Sequence, residues 1–405
     1  MKTRSNALPK FINANTVKQA FIALTFDLGG ILSGRLMIIF APFFGSVPWI
    51  LALFPPLLTI RGNISGILSG KLGTMLHTGE VEPRFRNNTK EFYNLIKSVF
   101  VLTFVDTLGI GAIAFAINSF FFADTARYLQ FFLLVPVLTC VLAMAVAVPA
   151  ASYFGIVAFK RGLDPDIVLY PMMSTVDDIL VTLCYALVIG LALVPGAIWG
   201  MALTALLLFG VVLVLFARNR KEKIFLRTLE EGVPIVIVSS LLGTFGGVAL
   251  SSYKDNIESN PSVLMLYPTM IDTLGDIGSI LGAMQTTKLA LGYVESFWKT
   301  LKVAFADLLS VELAAAIMHV VFSLVAFLMG KAAGLNPNLA MLVALSLISN
   351  AFGFLFISVF SLLIATQTFK YGLDPDNFVI PLVTSVSDII ATLAFGTSLA
   401  ILEAI

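Results

Sequence analysis

The sequence predicts an all-α polytopic membrane protein, with about eleven transmembrane helices in a 5+1+5 arrangement of two parallel, pseudo-two-fold repeats. Three observations lead there. Hydrophobic residues make up 58% of the chain and charged residues only 12%, and a mean hydropathy of +0.97 excludes a soluble globule. The apolar runs are long enough to cross a bilayer, which takes roughly 20 residues per helix. One unusual stretch also occurs twice. Gly162-Leu-Asp-Pro-Asp166, running through Pro171 to Asp177 and Asp178, returns 210 residues later as Gly372-Leu-Asp-Pro-Asp376, Pro381, Ser387 and Asp388. Without a gap, residues 159–183 and 369–393 share 13 of 25 positions, which marks an internal duplication. A carboxylate inside an apolar run is costly, so placing one at the same depth twice points to its use.

Taken in order, the predicted spans cover residues 19–40, 47–70, 98–122, 129–158, 167–191, 194–217, 232–252, 262–285, 303–330, 338–369 and 377–402. The first retains Asp27 and follows a polar tail, so it reads as a retained helix rather than a cleaved signal. The tail and alternate loops hold 20 of the Lys and Arg residues, and the opposite loops hold only Arg127, Lys254 and Lys331. By the positive-inside rule this puts the N-terminus in the cytoplasm and the C-terminus outside, in the cell membrane. Pro55 and Arg61-Gly-Asn-Ile64 in the second span match Pro268 and Leu274-Gly-Asp-Ile277 at an offset of 213. Five-span repeats joined directly would lie inverted. The spacer at 194–217 and the basic segment from Arg218 to Lys223 restore a parallel orientation, with the pseudo-axis along the membrane normal. Residues 1–192 therefore form a tail and first repeat, 193–230 a connecting helix and basic loop, and 231–405 a second repeat.

Several side chains are candidates for chemistry. At about 1.5 Å per residue, the path from Asp166 to Asp178, or from Asp376 to Asp388, covers about 18 Å, which brings both inner carboxylates near mid-membrane. Asn63 lies at a similar depth in its helix, and Asp276 matches it. Four oxygen-bearing side chains, Asp178, Asp388, Asp276 and Asn63, suit a hard cation, because Mg2+ is held by few carboxylates while keeping several waters. Protonated carboxyls bonding helix to helix are the plainer reading. Asp177, facing Ser387 in the alignment, reads as a neighbour on another face. Asp164 and Asp374 precede a proline at a helix start, where Asp caps and Pro fits the first turn; recruitment of cations at the inner mouth is the second reading. Asp27, Asp272, Asp106 and Asp307 are buried by sequence, and Asp106 and Asp307 fall at similar places in the third span of each repeat. Arg61 could neutralise a carboxylate or control access. Pro171 and Pro381 would kink the fifth span and free a carbonyl.

The stretch Pro56-Leu-Leu-Thr-Ile-Arg-Gly-Asn-Ile-Ser-Gly66 and its continuation to Gly79 resembles the signature of the MgtE magnesium transporters, and in particular looks like their two-repeat animal relatives, solute carrier family forty-one. The Leu-Asp-Pro-Asp helix with Asp178 or Asp388 resembles the last helix of that domain. The resemblance implies a divalent-cation path between two five-helix units supplied by one chain, working as a monomeric pseudo-dimer in the lipid bilayer. Three departures stand out. Gly-Asn becomes Gly275-Asp276 in the second repeat, Asp-Pro-Ala is Asp-Pro-Asp in both copies, and no large N-terminal regulatory region is expected. Mg2+ is the expected cargo, with Mn2+ or Co2+ as other candidates and Na+ as a coupling ion; nucleic acid is not an expected partner. Two His and two Cys, unclustered, argue against soft-metal chemistry. Two other classes stay open. One is a carrier of organic solutes coupled to Na+ or H+. The other is an intramembrane aspartyl protease, since Leu274-Gly-Asp276 narrowly misses that pattern.

Overall fold

The computed structural model describes residues 12–44, 46–121, 123–161, 165–290, 297–371 and 375–403, apart from a few side chains within the helices. The described residues form helices and turns, with no strand among them. Among the described residues, ten helical segments are long and apolar enough to cross a membrane. They account for every expected span except the eighth, now α10 (Tyr267–Ala290), whose 24 residues include Asp272, Asp276 and Gln285. Its polarity is tolerable because α10 is enclosed by other helices, with Tyr267, Met270, Leu274 and Ile277 all buried.

The first span is not the single helix expected. It divides into α1 (Ala14–Leu24), capped by Asn13 accepting from the Asn15 amide at 3.1 Å, and α2 (Leu28–Ile38). Between them the amides of Thr25 to Gly30 bond three residues back rather than four. This tighter winding re-aims the chain and turns Asp27 inward, where it accepts from Thr273 Oγ1 at 2.8 Å. The helices α3 (Trp49–Thr78), α4 (Lys90–Phe121), α5 (Leu129–Lys160) and α6 (Pro165–Ala192) complete the first half. Gly79, at φ 76°, ends α3 in a left-handed turn that glycine adopts without strain. The spacer α7 (Ala197–Asn219) is followed by α8 (Lys223–Ser252), a short α9 (Lys254–Ser259) and a 3-10 turn, Pro261–Met265, before α10. The second half closes with α11 (Phe297–Ala332), α12 (Leu339–Lys370) and α13 (Pro375–Glu403). No helix break occurs at Pro171 or Pro381, since α6 and α13 run through both. Asp164 and Asp374, and the side chains of Asp166 and Asp376, lie outside the described residues. Cys140 and Cys184 are both free and buried.

The halves interlock through their first spans. Helices α1 and α2 pack on α10 and α11, while α8 packs on α3 and α4. Lipid tails are as apolar as leucine, so burial alone gives little drive for helices to associate; small residues that let backbones approach do more. A Cβ at Gly34 of α2 would meet Met265 Cα at 2.6 Å, and one at Gly247 of α8 would meet Pro56 Cδ at 3.2 Å. Gly34 and Gly247 differ by 213 in number, the offset of the second-span repeat. In contrast α7 packs mainly on α4, α5 and α6, and turns Trp199, Leu203, Leu206 and Leu207 outward, Trp199 being 79% exposed. Such an apolar outer face suits lipid.

Four buried rings cross the centre in a row. Tyr185, Phe54, Tyr267 and Phe395 are spaced 6.3, 6.0 and 5.4 Å between centroids. Tyr185 donates to the Ile50 carbonyl at 2.6 Å, and the Tyr267 and Thr392 hydroxyls are 2.8 Å apart. Phe54 and Tyr267 each stand nine residues ahead of Asn63 and Asp276, about 14 Å along their helices. The row closes one side of the polar centre.

Candidate functional site

Four helices meet at the centre, and each presents polar residues four apart, hence on one face. These are Thr59 and Asn63 on α3, Ser174 and Asp178 on α6, Asp272 and Asp276 on α10, and Thr384 and Asp388 on α13. Gly62 and Gly275 lie beside them and add no bulk. Between α3, α10 and α13 this leaves a cavity of about 30 Å³, whose polar lining is Thr59, Asn63, Asp272, Asp276, Thr384, Ser385 and Asp388, together with Arg61 and Ser174. That volume holds about one water or a bare ion, and is far smaller than the roughly 300 Å³ or more of an organic-ligand site. Apart from the Arg61 guanidinium, the polar side chains on its wall are carboxylates, hydroxyls and one amide. Among the described residues, no three of His, Cys, Asp and Glu converge closely enough to hold a metal on their own. A cation here would draw on Asn63 and the hydroxyls as well as on carboxylates.

The cavity joins three of the four residues expected at one depth, Asn63, Asp276 and Asp388. Asp276 and Asp388 are half-buried. Asp178 is fully buried and does not line the cavity. Its carboxylate is ion-paired with Arg61 Nε, and Arg61 Nη2 is paired with Asp272 while Nη1 donates to Ser174 Oγ at 2.7 Å. Arg61 thus ties α3 to α6 and to α10 across the two halves. Asp388 instead accepts from Thr59 Oγ1 at 2.7 Å. The Arg61 charge also reaches Asp27, Asp177, Asp276 and Asp388. One guanidinium therefore faces six carboxylates, an imbalance that favours a further cation or protonation in a low-dielectric interior.

The remaining candidates stand outside the cavity. Asp177 is fully buried and accepts from Ser65 Oγ, on a different face of α6 from the cavity. Asp106 accepts from Ser240 Oγ of α8 at 3.0 Å, with Asn63 close by. Asp307 accepts from Thr16 Oγ1 of α1 at 3.5 Å. Asp106 and Asp307 do not form a matched pair. An offset of 213 sets His319, not Asp307, against Asp106, and the neighbours agree. Asp106 adjoins Cys140 of α5, and His319 adjoins Asn350 of α12. The sequence reading passed over Thr59, Ser65, Ser174 and Thr273, each bonded to a charged residue of the cluster. Spacing was the available signal, since Thr59 sits four before Asn63 and occupies the position that Asp272 holds in the other half.

The family model MgtE, described as "Divalent cation transporter", matches residues 54–188 and again 267–398. The chain belongs to the MgtE family. Both matched segments contain the central stripes just described, and their starts and ends repeat the offsets of 213 and 210. The chain is also similar to solute carrier family 41 member 3 of Rattus norvegicus, 24% identical over 425 residues that cover 96% of this chain and 88% of the relative. The same protein of Mus musculus is 24% identical over 382 residues, 87% of this chain and 75% of the relative. No solved structure matches the chain. Membership in this family makes the protein a divalent cation transporter of the membrane-integral kind.

Proposed function

We propose that the cargo is chiefly Mg2+, and that it crosses between two five-helix repeats of a single chain past Asn63, Asp276 and Asp388. The observation that carries this reading is the oxygen-rich cavity at the meeting of α3, α10 and α13, sized for an inorganic ion and lined by Asp272, Asp276 and Asp388, of which Asp272 is ion-paired with Arg61. Two carboxylates balance one divalent charge, while the Asn63 amide and the Thr59 and Thr384 hydroxyls add neutral oxygens. Hard oxygen donors suit Mg2+ and offer nothing to select a soft metal. The small volume argues against an organic solute in this conformation.

With the N-terminus cytoplasmic, as the basic loops favour, the row Tyr185, Phe54, Tyr267 and Phe395 lies on the outer side of the cavity. The conformation then reads as shut outward. Each half supplies two stripes, so a monomer contains the whole path. The decisive test is Mg2+ flux into proteoliposomes holding the purified full chain and an enclosed Mg2+-sensitive dye. Flux should be present for the natural sequence and lost in Asp276→Asn/Asp388→Asn. Undiminished flux in that double variant would remove the cavity from the path.

A further inference from the structure

The two halves match position for position around the centre, but they differ in what neutralises them. At the offsets of 213 and 210, Asp178 matches Asp388 and Asn63 matches Asp276, while Arg61 matches Leu274 and Thr59 matches Asp272. In the second half, Asp276 and Asp388 face a cavity. In the first half the equivalent carboxylate, Asp178, is filled by a guanidinium, which also reaches Asp272 and Ser174. Leu274 brings no charge.

We infer that Arg61 is a tethered counter-ion, standing in for a metal ion at one of two pseudo-equivalent cation sites, so that the chain carries a single exchangeable divalent cation on the Asp276–Asp388 side. This deepens the function proposed above and rests on it. Three features support it. Arg61 is 5% exposed and Asp178 is fully buried, so neither charge is offset by bulk water. Arginine stays protonated at any physiological pH and its planar fork can engage two carboxylates at once, as a bound cation would. The groups it engages lie on α6 and α10, one from each half, so the charge sits at the junction a second ion would occupy. A surface-type ion pair would need none of this. Arg61 acts here as a positioning residue: it holds Asp178 out of the cavity, neutralises Asp272 on its wall and so fixes the stoichiometry.

The test is equilibrium Mg2+ binding to the purified full chain in detergent, with Mg2+-dependent thermal stability as a second reading. The natural sequence should bind one ion. Arg61→Leu, which installs the residue of the matching position, should bind two and gain a Mg2+-dependent rise in melting temperature larger than the natural protein shows. Arg61→Leu/Asp178→Asn/Asp272→Asn should return to one. Should Arg61→Leu fold only when Mg2+ is present, that dependence equally supports the inference. Asp178→Asn/Asp272→Asn, which keeps Arg61 but removes its anchors and buries less charge, should free the guanidinium toward Asp276 and Asp388 and weaken Mg2+ binding by about tenfold or more. One ion in Arg61→Leu, with unchanged Mg2+-dependence of melting, overturns the inference, as does binding of two ions by the natural sequence. No binding by the natural sequence overturns the proposed site itself.

Discussion

The half built around Asp178 and the half built around Asp388 repeat one sequence pattern but give their central aspartates different partners. Both aspartates stand at the same point of an Asp-Pro-Asp helix, fourteen residues after the Asp that precedes the proline. Asp178 is fully buried in an ion pair with Arg61, whereas Asp388 is half-buried, bonded by the Thr59 hydroxyl and open to the cavity. The difference arises from two substitutions on the partner helices: a cation at 61 opposite leucine at 274, and threonine at 59 opposite aspartate at 272. At positions that match in sequence, neutralisation is set by which side chains project into the junction. A homomeric path cannot vary its halves this way; a fused one can.

That comparison can be broken in several ways. The largest effect is expected from Asp276→Asn/Asp388→Asn, which removes both carboxylates from the cavity wall and should lower Mg2+ flux in proteoliposomes by at least about 100-fold, as loss of metal-site groups commonly does. Asp178→Asn should lower it much less, and equal losses in the two would restore the symmetry argued away here. Arg61→Leu comes next. Leaving Asp178 and Asp272 buried without their partner should cost about 3–5 kcal/mol, read as a lower melting temperature in Mg2+-free detergent and reversed by adding Asp178→Asn/Asp272→Asn. Thr59→Val removes the hydroxyl from Asp388 and should weaken Mg2+ binding by about tenfold, the equivalent of about 1–2 kcal/mol for a hydrogen bond to a charged group. Gly247→Ala should destabilise by about 1–3 kcal/mol, because the Cβ would press on the α3 backbone where the halves interlock. Smallest is Asp307→Asn. Its weak contact with Thr16 lies away from the cavity, so flux should stay within about twofold of the natural protein, well under the effect of a metal-site group.

Much of the architecture was legible in the order of residues. Apolar runs broken by polar loops give ten of the spans directly, and the Leu-Asp-Pro-Asp and Gly-Asn/Gly-Asp motifs reveal both copies because duplication preserves spacing. The break between α1 and α2 was hidden, since Thr25, Phe26 and Asp27 carry no proline to announce it and the turn is fixed by Asp27 reaching Thr273 on a distant helix. The pairing of Asp106 with Asp307 misled for a similar reason. Two acids in corresponding helices look equivalent, but an offset of 201 differs by a dozen residues from the 213 that relates the neighbouring spans, more than three helical turns.

The sequence by itself determined the class, the duplicated halves, the family and the polar residues repeated inside the apolar spans, because hydropathy and spacing are local properties that a single chain displays openly. Which of the two matching aspartates lines the cavity was decided only by the tertiary structure. Asp178 and Asp388 are indistinguishable along their own helices. Arg61 lies 117 residues from the first and 211 residues from Asp272, and only the packing of α3 against α6 and α10 brings that one fixed charge to two of the acids and leaves Asp276 and Asp388 facing the cavity.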